Sequence, residues 1–154
     1  MPIQYVGNKQ KFAKDILKTI LPGNEHRVYC EPFVGSAAFL IEVPNKVRFA
    51  NDKNPYMVAL HEATRDGWIP PSEVSEDEYQ AIRRAPGKYT PELVGFVSVG
   101  CSFSGKMWGG YARQNADHLN YAAMSQRSEI VRRRSDLCSA SPIAGRSKRY
   151  PSLG

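Results

Sequence analysis

The chain of 154 residues has room for one domain with a real core, and not for two. Its 42 % hydrophobic and 10 % aromatic content are those of a globular protein, and no apolar run approaches the roughly 18 to 20 residues of a membrane span. The formal charge of +6 is unevenly spread: residues 1–112 carry 13 Lys and Arg against 12 Asp and Glu, whereas residues 113–154 carry 8 against 3. The basic excess belongs to the last quarter and does not by itself mark the body of the protein as a nucleic-acid binder. The opening MPIQYVGNKQKF lacks a signal-type apolar segment, so a cytoplasmic protein is expected. Three cysteines (Cys30, Cys101 and Cys138) with no CxxC pair argue against a disulfide framework and against a zinc site, and no metal is expected.

In chain order, NKQKFAKDILKTILPGN predicts an amphipathic helix. Phe12, Ala13, Ile16, Leu17, Ile20 and Leu21 recur at three- and four-residue spacing, and Pro22-Gly23 ends it. RVYCEPF predicts a short strand, GSAAFLIEV a short helix closed by Pro44, and KVRFAND a second strand with Asp52 at its C-terminal end. Asn54-Pro55 has the form of an N-cap followed by proline at the first helical position, with the helix running to about Arg65. Ser75 and Glu78 form a capping-box pattern for a helix through about Arg84, and Thr90-Pro91-Glu92 starts another through LVGFVSVG. CSFSGKMWGGYARQN predicts an irregular loop. A last helix is expected at about 119–134, and the segment from Ser139 a loose tail. There are no internal repeats.

The chemistry centres on EPFVGSAAF followed by FAND. A small-residue turn after the first strand of a βαβ unit leaves backbone N–H groups at the sheet's C-terminal edge, where ligands bind in such folds. Asp52, about twenty residues after Glu31, is suited to a ribose diol. On this local pattern alone a nucleoside-type ligand and a simple packing turn both stand. Tyr5 and Phe33 would equally be core aromatics, Lys9 a solvated residue at a helix start, and Asp52 a cap for the helix after Asn54. A nicotinamide dinucleotide is disfavoured, because one glycine does not provide the close backbone approach of GxGxxG.

Taken together and in register, QYVGNKQKF, YCEPFVGSAAFLIEV and FANDKNPYMVAL resemble the opening of the Dam-type DNA adenine N6-methyltransferases, across about residues 3 to 60. That family carries a Tyr/Trp-x-Gly-Gly-Lys segment, an (E/D)PFxGxG turn and an Asn-Asp-x-Asn-Pro segment. Asn8 replaces its second glycine, and Ala37 stands where another glycine is usual. The resemblance implies S-adenosyl-L-methionine as cofactor and double-stranded DNA as partner. Tyr5 would flank the cofactor and Lys9 would neutralise its carboxylate. Glu31, Phe33, Gly35 and Ser36 would shape the site, and Asp52 would accept from the ribose hydroxyls. The implied fold is α/β, a partial Rossmann-like methyltransferase with a mostly helical insertion. Residues 1–65 would form the cofactor-binding βαβ portion, 66–135 the insertion facing DNA, and 136–154 a basic, disordered tail.

The loop after Gly100 falls where this family reaches toward DNA. Lys106 and Arg113 would contact phosphates, and Trp108 and Tyr111 would stack on a base or wedge the duplex. The alternative is a surface loop anchored by its own aromatics. Such enzymes also carry a (D/N)PP(Y/F) motif that holds the flipped adenine and raises the electron density of its amino group. The only Pro-Pro pair here, in GWIPPSE, has neither the carboxylate nor the aromatic, so no catalytic residue is assigned. With the change of composition after about Leu137, this leads us to expect a truncated or frame-shifted product, weakly active or inactive alone. The alternative role is a non-catalytic module that retains cofactor or DNA affinity.

Overall fold

The computed structural model describes residues 4–45 and 47–113. Helix α1 (Gln10–Ile20) follows the predicted amphipathic run, and Gly23 beyond it takes φ +78°, a conformation that glycine adopts without a Cβ penalty. Ala13 and Leu17 are buried, whereas Phe12, Ile16 and Ile20 on the same apolar stripe are exposed. Strand β1 (Tyr29–Glu31) pairs in parallel with β2 (Arg48–Ala50), with Tyr29 opposite Arg48, Cys30 opposite Phe49 and Glu31 opposite Ala50. The ladder is extended at its C-terminal end, where the N–H of Val34 donates to the Asn51 carbonyl at 2.8 Å.

The sheet is covered on the face that carries Arg48 and Ala50, while Val28, Cys30, Val47 and Phe49 on the alternate positions are exposed. A buried arginine in a strand needs partners. Arg48 Nη1 donates to the carbonyls of Leu40 and Val43, both at 3.0 Å, and so closes the end of the crossover segment.

The helix expected over GSAAFLIEV is not formed. Residues 35–42 run as consecutive turns, with Gly35 at φ +47° and Ala37 at φ +60°. Two left-handed residues separated by one position interrupt any continuous right-handed ladder, whatever the intrinsic propensity of the alanines. The turns still bury Val34, Ala37, Leu40 and, from β2, Ala50 in a small cluster.

Helix α2 (Pro55–Arg65) starts as expected: Asn54 Oδ1 accepts from the Tyr56 N–H at 3.1 Å. Helix α3 (Glu76–Arg84) has the full capping box. Ser75 Oγ accepts from the Glu78 N–H, and the Glu78 carboxylate accepts from the Ser75 N–H at 2.7 Å. Helix α4 (Pro91–Gly95) passes directly into a π-helical turn, Phe96–Gly100. These helices share one core of Met57, Leu60, Val74, Tyr79, Ile82, Val94, Phe96, Val97, Val99 and Cys101. Gly95 lets α4 approach α2 closely, because a Cβ there would overlap the Tyr56 carbonyl.

Residues 101–113 form the expected irregular loop, with a 3-10 turn at Phe103–Gly105 and an isolated antiparallel bridge between Ser102 and Tyr111. Cys30 and Cys101 are free thiols, one exposed and one buried, and burial pushes the Cys101 thiol up to about 12. The expected helix at 119–134, the tail and Cys138 lie outside the described residues. Among the described residues no helix is long and apolar enough to cross a membrane, and no His/Cys/Asp/Glu group would hold a metal ion.

Candidate cofactor site

The two parallel strands end side by side, and their C-terminal ends open into a cavity of about 380 Å³. That size lies within the range of small-molecule sites. Tyr5, Lys9, Glu31, Phe33, Gly35, Ser36 and Asp52, the seven residues that the sequence nominates, all line it. They come from three separate stretches of chain, so the fold has brought together residues up to 47 positions apart (Tyr5 to Asp52).

Asp52 organises the floor. Its Oδ2 accepts from the Gly35 N–H at 2.8 Å and its Oδ1 from the Asn54 N–H at 2.9 Å, which ties the turn after β1 to the start of α2. A carboxylate has about four acceptor positions, so two remain for a ligand's hydroxyls. The Tyr5 ring lies over Gly35, where an added Cβ would meet Tyr5 Cε1 at 3.4 Å on a backbone already at positive φ. Burial and the neighbouring Asp52 raise the Tyr5 phenol, which therefore stays neutral and acts as a wall.

Lys9 stands exposed at the mouth, with Nζ donating to the Gly7 carbonyl at 2.8 Å. An ammonium has three donors, so two are left for an anion. Phe33 is 80 % exposed beside the cavity, a flat apolar surface turned outward rather than a core aromatic. Glu31 is pushed up to about 7, chiefly by burial and further by Asp52, against the opposing hydrogen bonds from Tyr29 and the Leu40 backbone. Near neutral pH it is poised between its two charge states, and a cationic ligand group would favour the ionised one.

Two residues that the sequence does not nominate support this site. Asn8 Oδ1 accepts from both Ser36 Oγ (3.1 Å) and the Gln10 N–H (2.9 Å), so it joins the N-terminal segment to the turn and starts α1. His61 is buried beneath the turn with Nε2 2.7 Å from the Gly35 carbonyl. The signal for it was a lone histidine in the otherwise core-facing stripe Met57, Leu60, His61 and Thr64.

A larger cavity of about 710 Å³ lies among the helices, between Trp68, Ile82 and Leu93, with Glu73, Asp77 and Glu78 at its rim. Among the described residues no Lys or Arg lines it, so it lacks a side-chain cation to pair with a carboxylate or phosphate. The smaller cavity has the cation, the carboxylate and the open backbone turn together.

A family profile described as D12 class N6 adenine-specific DNA methyltransferase matches residues 5–88, more than half of the chain. The chain belongs to that family. No curated protein matches it in sequence. A D12 class methyltransferase is a DNA-methylating enzyme by family, and the matched stretch contains every residue of the cavity at the strand ends.

The four residues nominated for DNA lie beyond that match. Lys106 is exposed. Trp108 packs edge-on against Tyr79 with centroids 5.4 Å apart, and Tyr111 packs against the same ring at 5.6 Å. The Tyr111 hydroxyl donates to the Val74 carbonyl at 2.6 Å. Both rings are thus half-buried anchors of the loop, and for either to stack on a base this packing would have to open. Arg113 makes a bidentate pair with Glu76, at 2.6 and 2.9 Å, and that carboxylate keeps its guanidinium charged.

Proposed function

We propose that the cavity at the strand ends binds S-adenosyl-L-methionine, and that the reaction it serves is methyl transfer to the N6 amino group of adenine in double-stranded DNA. The observation that carries this reading is the convergence of Lys9, Asp52 and the Gly35 turn on one cavity. A zwitterionic amino acid joined to a ribose needs a cation for its carboxylate, an acceptor for its diol, and backbone that a Cβ would not obstruct. In this reading Lys9 takes the carboxylate, Asp52 the ribose hydroxyls, and Glu31 the cationic end. Phe33 and Tyr5 cover apolar faces, with Ser36 at the floor. The bound cofactor would supply an activated methyl group on a sulfonium.

On the DNA side, Lys106 is the phosphate contact, with Trp108 and Tyr111 holding the loop that presents it. Arg113 would have to exchange Glu76 for a phosphate. The wider arrangement, a Rossmann-like cofactor portion over about 1–65 followed by a helical portion facing DNA, belongs to the same proposal. So does a cytoplasmic setting, where such DNA is met.

The sequence has no (D/N)PP(Y/F) tetrapeptide to hold and activate the adenine. The purified chain alone should therefore bind the cofactor but incorporate little or no methyl label into unmethylated duplex DNA. Robust turnover by the chain alone would refute the second half of that statement. Absence of cofactor binding would refute the first. Absence of turnover with intact binding is the non-catalytic module. Its DNA affinity should fall steeply between two salt concentrations if phosphate contacts dominate.

A further inference from the structure

Both backbone polar groups of Gly35 are held by side chains from different elements. Its N–H donates to Asp52 Oδ2 at 2.8 Å, and its carbonyl lies 2.7 Å from Nε2 of His61, which is 2 % exposed on α2. A carbonyl only accepts, so Nε2 carries the proton. The helix that carries His61 starts at Asn54, whose N–H donates to the other oxygen of Asp52 at 2.9 Å. Asp52, Gly35, His61 and Asn54 therefore close a ring through one carboxylate, one glycine and one helix.

The peptide after Gly35 is planar, so its carbonyl and the N–H of Ser36 point in opposite directions. A donor on α2 that fixes the carbonyl also fixes the Ser36 N–H, aiming it away from α2. Gly35, at φ +47°, begins this peptide, and Ala37, at φ +60°, follows one peptide further on; left-handed residues of this kind persist when the surroundings over-determine them. Gly35 and Ser36 line the cavity, whereas His61 does not.

We propose that His61 is a positioning residue for the methyl-donor site: it holds the Gly35 carbonyl, and through it the turn, in the conformation that receives the cofactor, without touching the cofactor. The inference rests on the reading of the cavity given above.

The test compares His61→Gln, which keeps an N–H donor, with His61→Phe, which keeps volume and loses the donor. Calorimetric titration of the full chain with S-adenosyl-L-methionine should give a Kd for H61Q within about threefold of wild type. For H61F the Kd should rise about tenfold or more, as expected for a lost buried hydrogen bond. Amide exchange at Ser36 and Ala37 should be about tenfold faster in H61F than in H61Q. Wild-type affinity in folded H61F, or equal losses in both variants, would overturn the proposal. If wild type shows no binding, the cavity reading falls separately, and the exchange rates decide alone: equal rates in the two variants overturn the role of His61. If H61F does not fold, the imidazole nitrogen signals of wild type decide instead. A protonated Nε2 supports the proposal, and the opposite tautomer overturns it.

Discussion

The helices and the turn that carries the site are built to different standards. Ten buried side chains from Met57 to Cys101 make one cluster under α2, α3 and α4, tightened by the close approach at Gly95 and by three aromatic rings meeting at Tyr79, Trp108 and Tyr111. Around Gly35, among the described residues, four buried side chains form a cluster, two of them alanines, with Tyr29 and Ile41 packed against it. What fixes the turn there is polar: Asp52, His61, Asn8 and Arg48, each bonded to backbone or to a neighbouring side chain. Dense apolar packing anchors the region away from the cavity. The cavity itself is held by a few directional bonds, which fix geometry with little buried area.

The largest expected effect comes from attacking the helical core. Tyr79 is fully buried, and its hydroxyl bonds Ser102 Oγ at 2.9 Å. Tyr79→Ala should cost about 3–5 kcal/mol in chemical denaturation and release the loop that carries Trp108. A loss below about 1 kcal/mol would mean that this cluster does not carry the fold.

A smaller effect is expected at Glu31. Its folded-state value of about 7 lies above the ordinary 4.5, so the folded chain binds the extra proton. The stability it contributes is fully present below about pH 4.5 and is lost as pH rises through about 7. With its partial exposure discounted, the loss is on the order of 2 kcal/mol. Glu31→Gln should flatten that part of the pH–stability curve. An unchanged slope would remove Glu31 as its source.

Smaller still is Ala37→Gly. An L-residue in the left-handed region is strained by about 1–2 kcal/mol, and the greater freedom of glycine in the unfolded chain offsets part of this. Glycine would also give up the buried Ala37 methyl, worth about 1 kcal/mol, so the terms nearly cancel and stability should change by less than about 1 kcal/mol, read as a denaturation midpoint close to wild type. Least of all for stability is Phe33→Ala, within about 0.5 kcal/mol because the ring is exposed. Its effect should appear as weaker cofactor binding. A stability loss with unchanged binding would reverse the roles assigned to this ring.

The same contrast explains what the sequence discloses. The caps at Asn54 and at Ser75 with Glu78 follow local rules, since the residues that decide them sit within four positions of one another. The seven nominated residues that line the cavity are legible because three short segments resemble one family in register. The turn at 35–42 is not legible: alanine-rich spacing favours a helix, yet Gly35 and Ala37 take positive φ, and the Gly35 N–H and carbonyl are bonded to Asp52 and His61, which come from distant parts of the sequence. Nothing in the sequence around Arg48 shows that the carbonyls of Leu40 and Val43 receive it. Trp108 and Tyr111 read equally as base-stacking aromatics or as anchors of their own loop until Tyr79 is seen packed against both.

The most direct test of the account is to map S-adenosyl-L-methionine onto the backbone amides of the full chain by NMR titration. Concentration-dependent shifts are expected at Tyr5 to Lys9, at Gly35 to Ala38 and at Asp52, with residues lining the larger acidic cavity, Glu73 to Ile82, unmoved. Shifts confined to that helical cavity, or none at saturating cofactor, would contradict it.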